Sequence, residues 1–229
     1  MSEMLPVNDV EKCSGAPSSG GELVGYAARE SHLGKLSIRR ALPIRERRMV
    51  GPWCFLDRYG PLSFAADKPM DVAPHPHIGL QTVSWLFDGE VIHHDSLGSE
   101  CVIRPGALGL MTAGSGIAHS EETPARNTGR LSGVQLWLAL PDLHRAATPC
   151  FDHYSERSAQ EHPGGIVRLI AGEMNGVVSS ARLFSPLIGA ELTVHRTSSL
   201  ELPLNGRFEH ALLVIQGVAR LDQALAAAF

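Results

Sequence analysis

Two short stretches of the chain carry residues that bind transition metals. In APHPHIGLQ, which begins at Ala73, His75 and His77 are one residue apart and each follows a proline. Prolines remove backbone donors and favour extended geometry in the preceding residue, which predicts the start or the edge of a strand. Side chains two positions apart on a strand point the same way, so both imidazoles should face one side. The alternative is a proline-rich loop with two incidental histidines.

The second stretch, MTAGSGIAHSEETP, has a glycine-marked turn followed by His119, Ser120 and Glu121. By the same period of two, His119 and Glu121 share a face. If this strand lies beside the first, three imidazoles and one carboxylate converge. Such a set suits Fe, Mn, Ni, Cu or Zn rather than Ca or Mg. The geometry therefore predicts one divalent transition metal held by His75, His77, His119 and Glu121.

Three further polar residues lie close to these stretches. His93 and His94 are neighbours, so a strand would turn them to opposite faces and at most one could reach an interior site. For either residue, a supporting role beside the ligands or a place on the surface is favoured over direct ligation. Gln81 could reach the wall of a cavity or could face solvent.

Other kinds of site find little support in the chain. The GSG around Ser115 is not the GxSxG motif of a nucleophilic serine. It also lacks the Lys-Ser/Thr ending of a phosphate-binding loop. No cysteine is placed beside a histidine as an activated nucleophile would be.

Composition and charge narrow the class of protein. The 229 residues carry a net charge of −4 with a pI near 6.2, which supplies no basic field for nucleic acid or an anionic membrane. No apolar run is long enough to span a membrane, and the acidic N-terminal residues do not resemble a secretory signal. The scattered cysteines lack CxxC spacing and fit a reducing compartment. The four cysteines are Cys13, Cys54, Cys101 and Cys150. Because their spacing fits a reducing compartment, we predict a cytoplasmic protein.

Frequent glycine and proline divide the chain into short apolar runs. With 23 glycines and 15 prolines, the runs have the length of strands, and long helical periodicity is missing. The prediction is an all-β barrel or sandwich. Residues 1–20 should form a loose N-terminal arm, and Pro141–Pro149 should form a short helix at a boundary between two halves.

Asp88-Gly89 between two β-rich runs predicts a two-residue hairpin turn. A similar pattern, ALLVIQGVARLD, recurs near the end with Gly217 in the place of Gly89, which suggests a second related β unit. The positions in that unit that correspond to His75 and His77 are Pro203 and Asn205. A second unit would therefore lack the metal ligands.

The stretches PHPHIGLQTVSWLFDGEVIHHDSLGSE and IRPGALGLMTAGSGIAHSEE resemble the pirin family of the cupin superfamily. The resemblance is dense over about residues 35–140 and implies a bicupin, two stacked β-barrels of which only the N-terminal one holds metal. It implies an N-terminal barrel over 21–140 and a partial, ligand-free C-terminal cupin domain over 141–229. Pirin-like chains usually run longer, so the second barrel is predicted to be incomplete.

The resemblance also implies two functions. One is a quercetin 2,3-dioxygenase activity, in which O2 opens a flavonol-like aromatic substrate at a metal that is most often iron. In that case Glu121 would be the catalytic base. Trp85, Phe87, Leu110 and Met111 are candidate cavity walls, although an ordinary core position is favoured for each. The alternative is a non-catalytic, redox-sensitive iron protein that regulates a protein partner.

Overall fold

The structure is a computed structural model that describes residues 23–34, 36–64, 70–155, 159–221 and 224–227. The predicted N-terminal arm lies outside these residues. Within them the chain forms β-strands and one 3-10 turn but no α-helix, which confirms the all-β prediction. In chain order the strands are β1 (Arg29–Leu33), β2 (Leu36–Leu42), β3 (Trp53–Ser63), β4 (Asp71–His77), β5 (Leu80–Gly89), β6 (Val91–Asp95), β7 (Glu100–Ile103), β8 (Leu108–Thr112), β9 (Ile117–Glu122), β10 (Arg130–Ala139), β11 (Cys150–Tyr154), β12 (Ala159–His162), β13 (Gly165–Met174), β14 (Val177–Val178), β15 (Ile188–Val194), β16 (Val218–Leu221) and β17 (Ala224–Ala227).

Two antiparallel sheets face each other in the first part of the chain. The larger has the order β1-β2-β3-β10-β5-β8-β11, and the smaller has the order β4-β9-β6-β7. Apolar side chains from both sheets meet in one cluster, to which Ile38 and Leu86 contribute from the larger sheet and Val91 and Ile103 from the smaller. The result is a cupin-type barrel whose two sheets are joined by packing rather than by continuous strand pairing.

Successive side chains on the central strands of the larger sheet point to opposite faces, and both faces are packed against other parts of the chain. On β5, Ser84 and Leu86 point toward the smaller sheet, where Ser84 bonds Glu121 and Leu86 enters the shared cluster. Val83 and Trp85 point the other way and pack with residues from beyond β11, including Ile170. The period of two thus gives one strand a polar role on one side and a core role on the other.

Beyond residue 155, β13 pairs with β12, β14 and β15 in a second β-structure. The strand before it, β11, pairs with β8 and so extends the larger sheet of the first unit. The division at residues 140 and 141 and the incompleteness of the second barrel stay predictions.

The predicted second hairpin around Gly217 is wrong. Residues 211–217 contain no strand; β16 begins only after the glycine and pairs with β17. The apolar residues that suggested a strand, Leu213 and Ile215, pack instead against the core behind the larger sheet. Their burial in that core explains the apolar pattern without strand pairing.

The predicted hairpin at Asp88-Gly89 is also wrong. β5 pairs with β10 and β8, whereas β6 pairs with β7 and β9, so the chain passes from one sheet to the other at this point. Gly89 has φ +84°, and a Cβ there would lie 2.0 Å from the Arg130 carbonyl oxygen. The glycine signal was correct, but it marks a crossing pressed against β10.

The predicted helix at Pro141–Pro149 is present as a single 3-10 turn over Asp142–His144.

No helix within the described ranges is long and apolar enough to cross a membrane.

We predict that Gly89→Ala destabilises the protein more than Gly98→Ala. Both glycines have nearly the same positive φ, but a Cβ at Gly98 meets nothing within 4 Å. Gly98→Ala should cost about 1–2 kcal/mol from backbone strain alone. Gly89→Ala should add about 1–3 kcal/mol because β10 must move to admit the methyl group. Urea unfolding of both variants measures the difference; equal losses would mean that the contact with Arg130 is unimportant.

Candidate metal centre

The pairing of β4 with β9 creates the site. His75 lies opposite His119 in this ladder, and Val72 lies opposite Glu121, with an irregularity between Val72 and His75. β4 has β9 as its partner and forms the edge of the smaller sheet, as its prolines predict. This register brings the two histidine-containing stretches side by side.

The three predicted imidazoles lie close together. Ring centroids are 4.9 Å apart for His75 and His77, 4.5 Å for His75 and His119, and 5.0 Å for His77 and His119. A ligand nitrogen from each ring lies within 4.8 Å of the others, so one ion could be shared by the three. The expected convergence of the two stretches is therefore seen in the geometry.

Two atoms show how these rings suit a metal. The His75 Nδ1 donates to the Ala73 carbonyl oxygen over 2.9 Å, which leaves Nε2 with its lone pair. The Nε2 of buried His119 has no hydrogen-bond partner. Buried polar atoms normally have partners, and an unpartnered imidazole nitrogen beside two other imidazoles is what a metal ligand looks like without its ion.

His77 and His119 are held in the neutral form that metals require. Burial, reinforced by repulsion from His75, lowers the pKa of His77 to about 4. Burial also lowers the pKa of His119 to about 3, with further repulsion from the neighbouring histidines. Neutral imidazoles carry a free lone pair at physiological pH, so metal binding would not compete with protons.

Glu121 is buried and lies opposite His93 of the neighbouring strand β6. Its carboxylate groups with His93 and His119, with all ligand atoms within 4.8 Å, rather than with His75 and His77. Burial raises its pKa, although Ser84 Oγ donates to Oε1 over 2.8 Å and partly opposes that shift. Ser84 Oγ also lies 3.0 Å from the Gln135 side chain. Membership of Glu121 in a four-residue ligand set stays a prediction.

The side chains of His93 and His94 point to opposite faces of β6, as the strand period predicts. His93 is 1% exposed and points into the site, whereas the side chain of His94 is 38% exposed. Asp95, two positions after His93, also points inward, and its carboxylate lies 3.1 Å from the His93 ring. The sequence held a signal for this pair, since His93 and Asp95 have the same spacing as the two metal-binding pairs.

The four apolar residues considered as cavity walls lie in or against packed cores. Trp85 and Leu110 belong to the core behind the larger sheet, with Phe87 packed against it, and the indole of Trp85 donates to Glu191. Met111 packs with Ala113 and Ile117. The favoured core position is therefore confirmed, and the wall alternative is wrong for Trp85, Phe87 and Leu110, because alternation along the strands turns them away from the ligands.

Trp137 and Phe151 make ring contacts with histidines of the site. Trp137 meets the ring of His77 edge-on at 4.9 Å and stacks on Phe55 at 3.9 Å. Phe151 stacks on His93 at 3.9 Å. Sequence reasoning missed both, because each is far along the chain from the histidines it contacts.

Gln81 takes neither of its two predicted roles. Its side-chain amide is buried and donates to Thr112 Oγ1 and to the Arg182 carbonyl oxygen. It thus ties the larger sheet to the chain that packs behind it.

Comparison with known proteins gives consistent matches. The pirin family model matches residues 35–138. A Pseudomonas aeruginosa protein named "Putative quercetin 2,3-dioxygenase PA1205" is 46% identical over 184 residues, which cover 80% of this chain and 58% of that protein. A Caulobacter vibrioides "Pirin-like protein" is 46% identical over 169 residues, which cover 71% of this chain and 59% of that one. The chain thus spans less than three fifths of the length of these two relatives.

A solved structure extends the match to the fold. The crystal structure of quercetin 2,3-dioxygenase from Acinetobacter baumannii superposes with a TM-score of 0.82 at 38% identity, covering 89% of this chain and 71% of that one. Facing antiparallel sheets around a histidine-rich cluster define a cupin-type β-protein with residues able to hold a metal ion. Within that class, the chain belongs to the pirin family.

We predict that the metal-free protein loses stability as the pH falls below about 6.5. Unfolded histidine has a pKa near 6.5, whereas folded His119 titrates at about 3, so the unfolded state binds the extra proton between these values. The stability is present above pH 6.5 and declines as the pH falls toward 3. At pH 5.5 His119 alone should cost about 1.4 kcal/mol.

Urea unfolding of chelator-treated protein at pH 7.5 and 5.5 measures this loss. His119→Asn should show a smaller pH dependence than the wild type, and His94→Asn, an exposed neighbour of the site, should behave like the wild type. The same pH dependence in His119→Asn and the wild type would contradict the assignment.

Proposed function

We propose that this protein is a metal-dependent dioxygenase that uses O2 to open a flavonol-like aromatic substrate. The metal is held by His75, His77, His119 and Glu121, and iron is the ion we propose, although Mn, Ni, Cu and Zn also suit three nitrogens and one carboxylate. The observation that carries the proposal is the buried, unpartnered Nε2 of His119 beside two other imidazoles. When bound, the metal would supply Lewis-acid and electron-transfer chemistry to substrate and dioxygen.

Glu121 is the residue we propose as the catalytic base. In the metal-free protein, burial raises the pKa of this carboxyl. When the metal is bound, a carboxylate that loosens from the ion could take the hydroxyl proton at hydrogen-bond distance. Ser84 keeps one carboxylate oxygen oriented through its hydrogen bond. The acidic hydroxyl proton of a flavonol would pass to this carboxylate as the substrate binds.

Trp137 offers a surface for a flat aromatic substrate. Its ring is in direct contact with a candidate ligand, His77, and Phe55 stacks on it. Aromatic rings favour offset or edge contacts with one another, so Trp137 would orient a flavonol beside His77. The names of the Pseudomonas and Acinetobacter relatives support this substrate class for the chain.

A regulatory role is the second candidate, and the position of β4 favours it. The strand that carries His75 and His77 is at a sheet edge, and its residues Ala73, Pro74 and Pro76 are exposed. Metal binding at the two histidines would order a strip of surface that a protein partner could contact. This role predicts metal-dependent association with a partner and no turnover.

The remaining predictions concern cellular context. The cysteines at 54, 101 and 150 are free thiols in the structure, in keeping with the reducing compartment that we propose. Cytoplasmic location and the lack of direct binding to nucleic acid stay predictions.

We predict that His77→Ala lowers bound metal at least tenfold, because one of the four proposed ligands is lost and three remain. His32→Ala, at an exposed histidine outside the site, should keep the wild-type metal content. Elemental analysis after loading with Fe²⁺ and desalting gives the comparison; equal content in both variants would remove His77 from the ligand set.

We predict that iron-loaded wild-type protein consumes O2 in the presence of quercetin, and that Glu121→Gln loses about 10²–10⁴-fold in turnover. Glu122→Gln is the matched control, because its side chain is on the opposite face of the same strand. An oxygen electrode measures the rates, with metal content determined in parallel.

The two candidate functions separate in this experiment. Metal-loaded wild type that shows no oxygen uptake with a panel of flavonols under several metals would exclude the dioxygenase and leave the regulator. Wild type that binds no transition metal would exclude both.

A further inference from the structure

We propose that His93 is a positioning residue for the metal centre: it accepts a hydrogen bond from His119 Nδ1 and so keeps His119 Nε2 free to bind the metal, while Asp95 holds His93 in place. The inference rests on the metal site of the proposed function. It adds His93, which contacts the ligand His119, and Asp95, which contacts His93.

Strand pairing places the three residues in a row. β6 lies beside β9, with His93 opposite Glu121 and Asp95 opposite His119. The Nδ1 atoms of His93 and His119 are 3.4 Å apart, and the His93 Nε2 is 3.1 Å from Asp95 Oδ2. The side chains of His93 and Asp95 are 2% and 0% exposed, so water does not compete for these bonds.

Hydrogen bonds other than the one to His93 hold the Asp95 carboxylate in place. Its Oδ1 accepts hydrogen bonds from the backbone N–H groups of Leu97 and Ser99, at 2.9 Å and 3.0 Å. Burial alone would raise the pKa of Asp95, but these bonds together with the one from His93 outweigh it and lower the pKa. Asp95 is therefore an ionised acceptor whose second oxygen faces His93.

The chain of donors and acceptors then determines each tautomer. A carboxylate can only accept, so the proton of neutral His93 is on Nε2 and its Nδ1 presents a lone pair. That lone pair faces His119 Nδ1, which must carry the proton if the contact is a hydrogen bond. The lone pair of His119 is then on Nε2, the buried atom without a partner. Partners of this kind set the tautomer and orientation of metal-binding histidines.

Packing holds the His93 ring in this orientation. Phe151 stacks on it at 3.9 Å with an angle of 10° between the rings. The ring cannot turn without losing this contact and the bond to Asp95.

A direct role for His93 as a ligand is the competing interpretation. His93, His119 and Glu121 have ligand atoms within 4.8 Å of one another and could hold an ion of their own. However, the His93 Nε2 faces Asp95, and its Nδ1 faces the Nδ1 of His119 rather than the unpartnered Nε2. Both ring nitrogens of His93 are thus engaged without a metal.

Cobalt binding by the chelator-treated full chain tests the proposal, because Co²⁺ reports both affinity and ligand set in its visible spectrum. His93→Leu removes the acceptor and should weaken Co²⁺ binding about 10–100-fold. His93→Asn places an amide oxygen near the position of Nδ1 and should restore most of the affinity with the wild-type spectrum. His94→Leu, at the exposed neighbour, should bind as the wild type does.

NMR of the imidazole nitrogens in the metal-free wild type provides a test that needs no variant. His93 should be protonated at Nε2 and His119 at Nδ1. The opposite tautomer at either ring would overturn the proposal, even if His93→Leu failed to fold.

Three binding results would also overturn it. Wild-type affinity in folded His93→Leu would sink the positioning role alone, since the metal site itself would be intact. Two bound Co²⁺ ions in the wild type and one in His93→Leu would make His93 a ligand. Wild type that bound no Co²⁺ would overturn the metal centre and, with it, this inference.

Discussion

The register of β4 on β9 is the constraint on which the site depends. It sets His75 directly across from His119 and, by the period of two, gives His77 and Glu121 their positions on the same interior side. A slip of one residue would turn both histidines of β4 outward and separate them from His119, which would keep His93 of β6 as its neighbouring imidazole. The prolines of β4 limit such slippage, because they fix the backbone and remove donors that an alternative pairing would use.

The larger sheet supplies the support for this register. Its central strands carry polar residues toward the site and apolar residues toward the opposite core, so that Ser84 meets Glu121 while Val83 and Trp85 pack behind. One set of strands therefore serves two packing interfaces. A change on one face need not disturb the other, since adjacent residues on a strand have separate neighbours.

Burial shapes the chemistry of the cluster. It lowers the pKa of His77 and His119 and raises that of Glu121, so the charged form is disfavoured at all three. The unfavourable burial of Glu121 is offset locally by the hydrogen bond from Ser84, and that of His119 by its contact with His93. An ion at the centre would give the remaining lone pair of His119 its partner.

Local periodicity was sufficient to predict the all-β fold, the face shared by His75 and His77, and the opposed directions of His93 and His94. It could not tell a hairpin turn from a crossing between sheets, because Gly89 suits both and the choice is made by distant β10. It favoured a core position for Trp85 but could not exclude the cavity wall, because the face of that residue is decided by what packs behind the sheet. Trp137 and Phe151 could be assigned to the site only once strand order was known, whereas Asp95 could have been found from its spacing to His93.

Anomalous diffraction from crystals of the metal-loaded protein tests the central claim most directly, since it locates the ion without relying on activity. The account predicts one strong peak at the absorption edge of the metal, within about 2.0–2.2 Å of a nitrogen from each of His75, His77 and His119 and of a Glu121 oxygen. A fully loaded crystal with its peak elsewhere, such as between His93 and His119, would contradict the account.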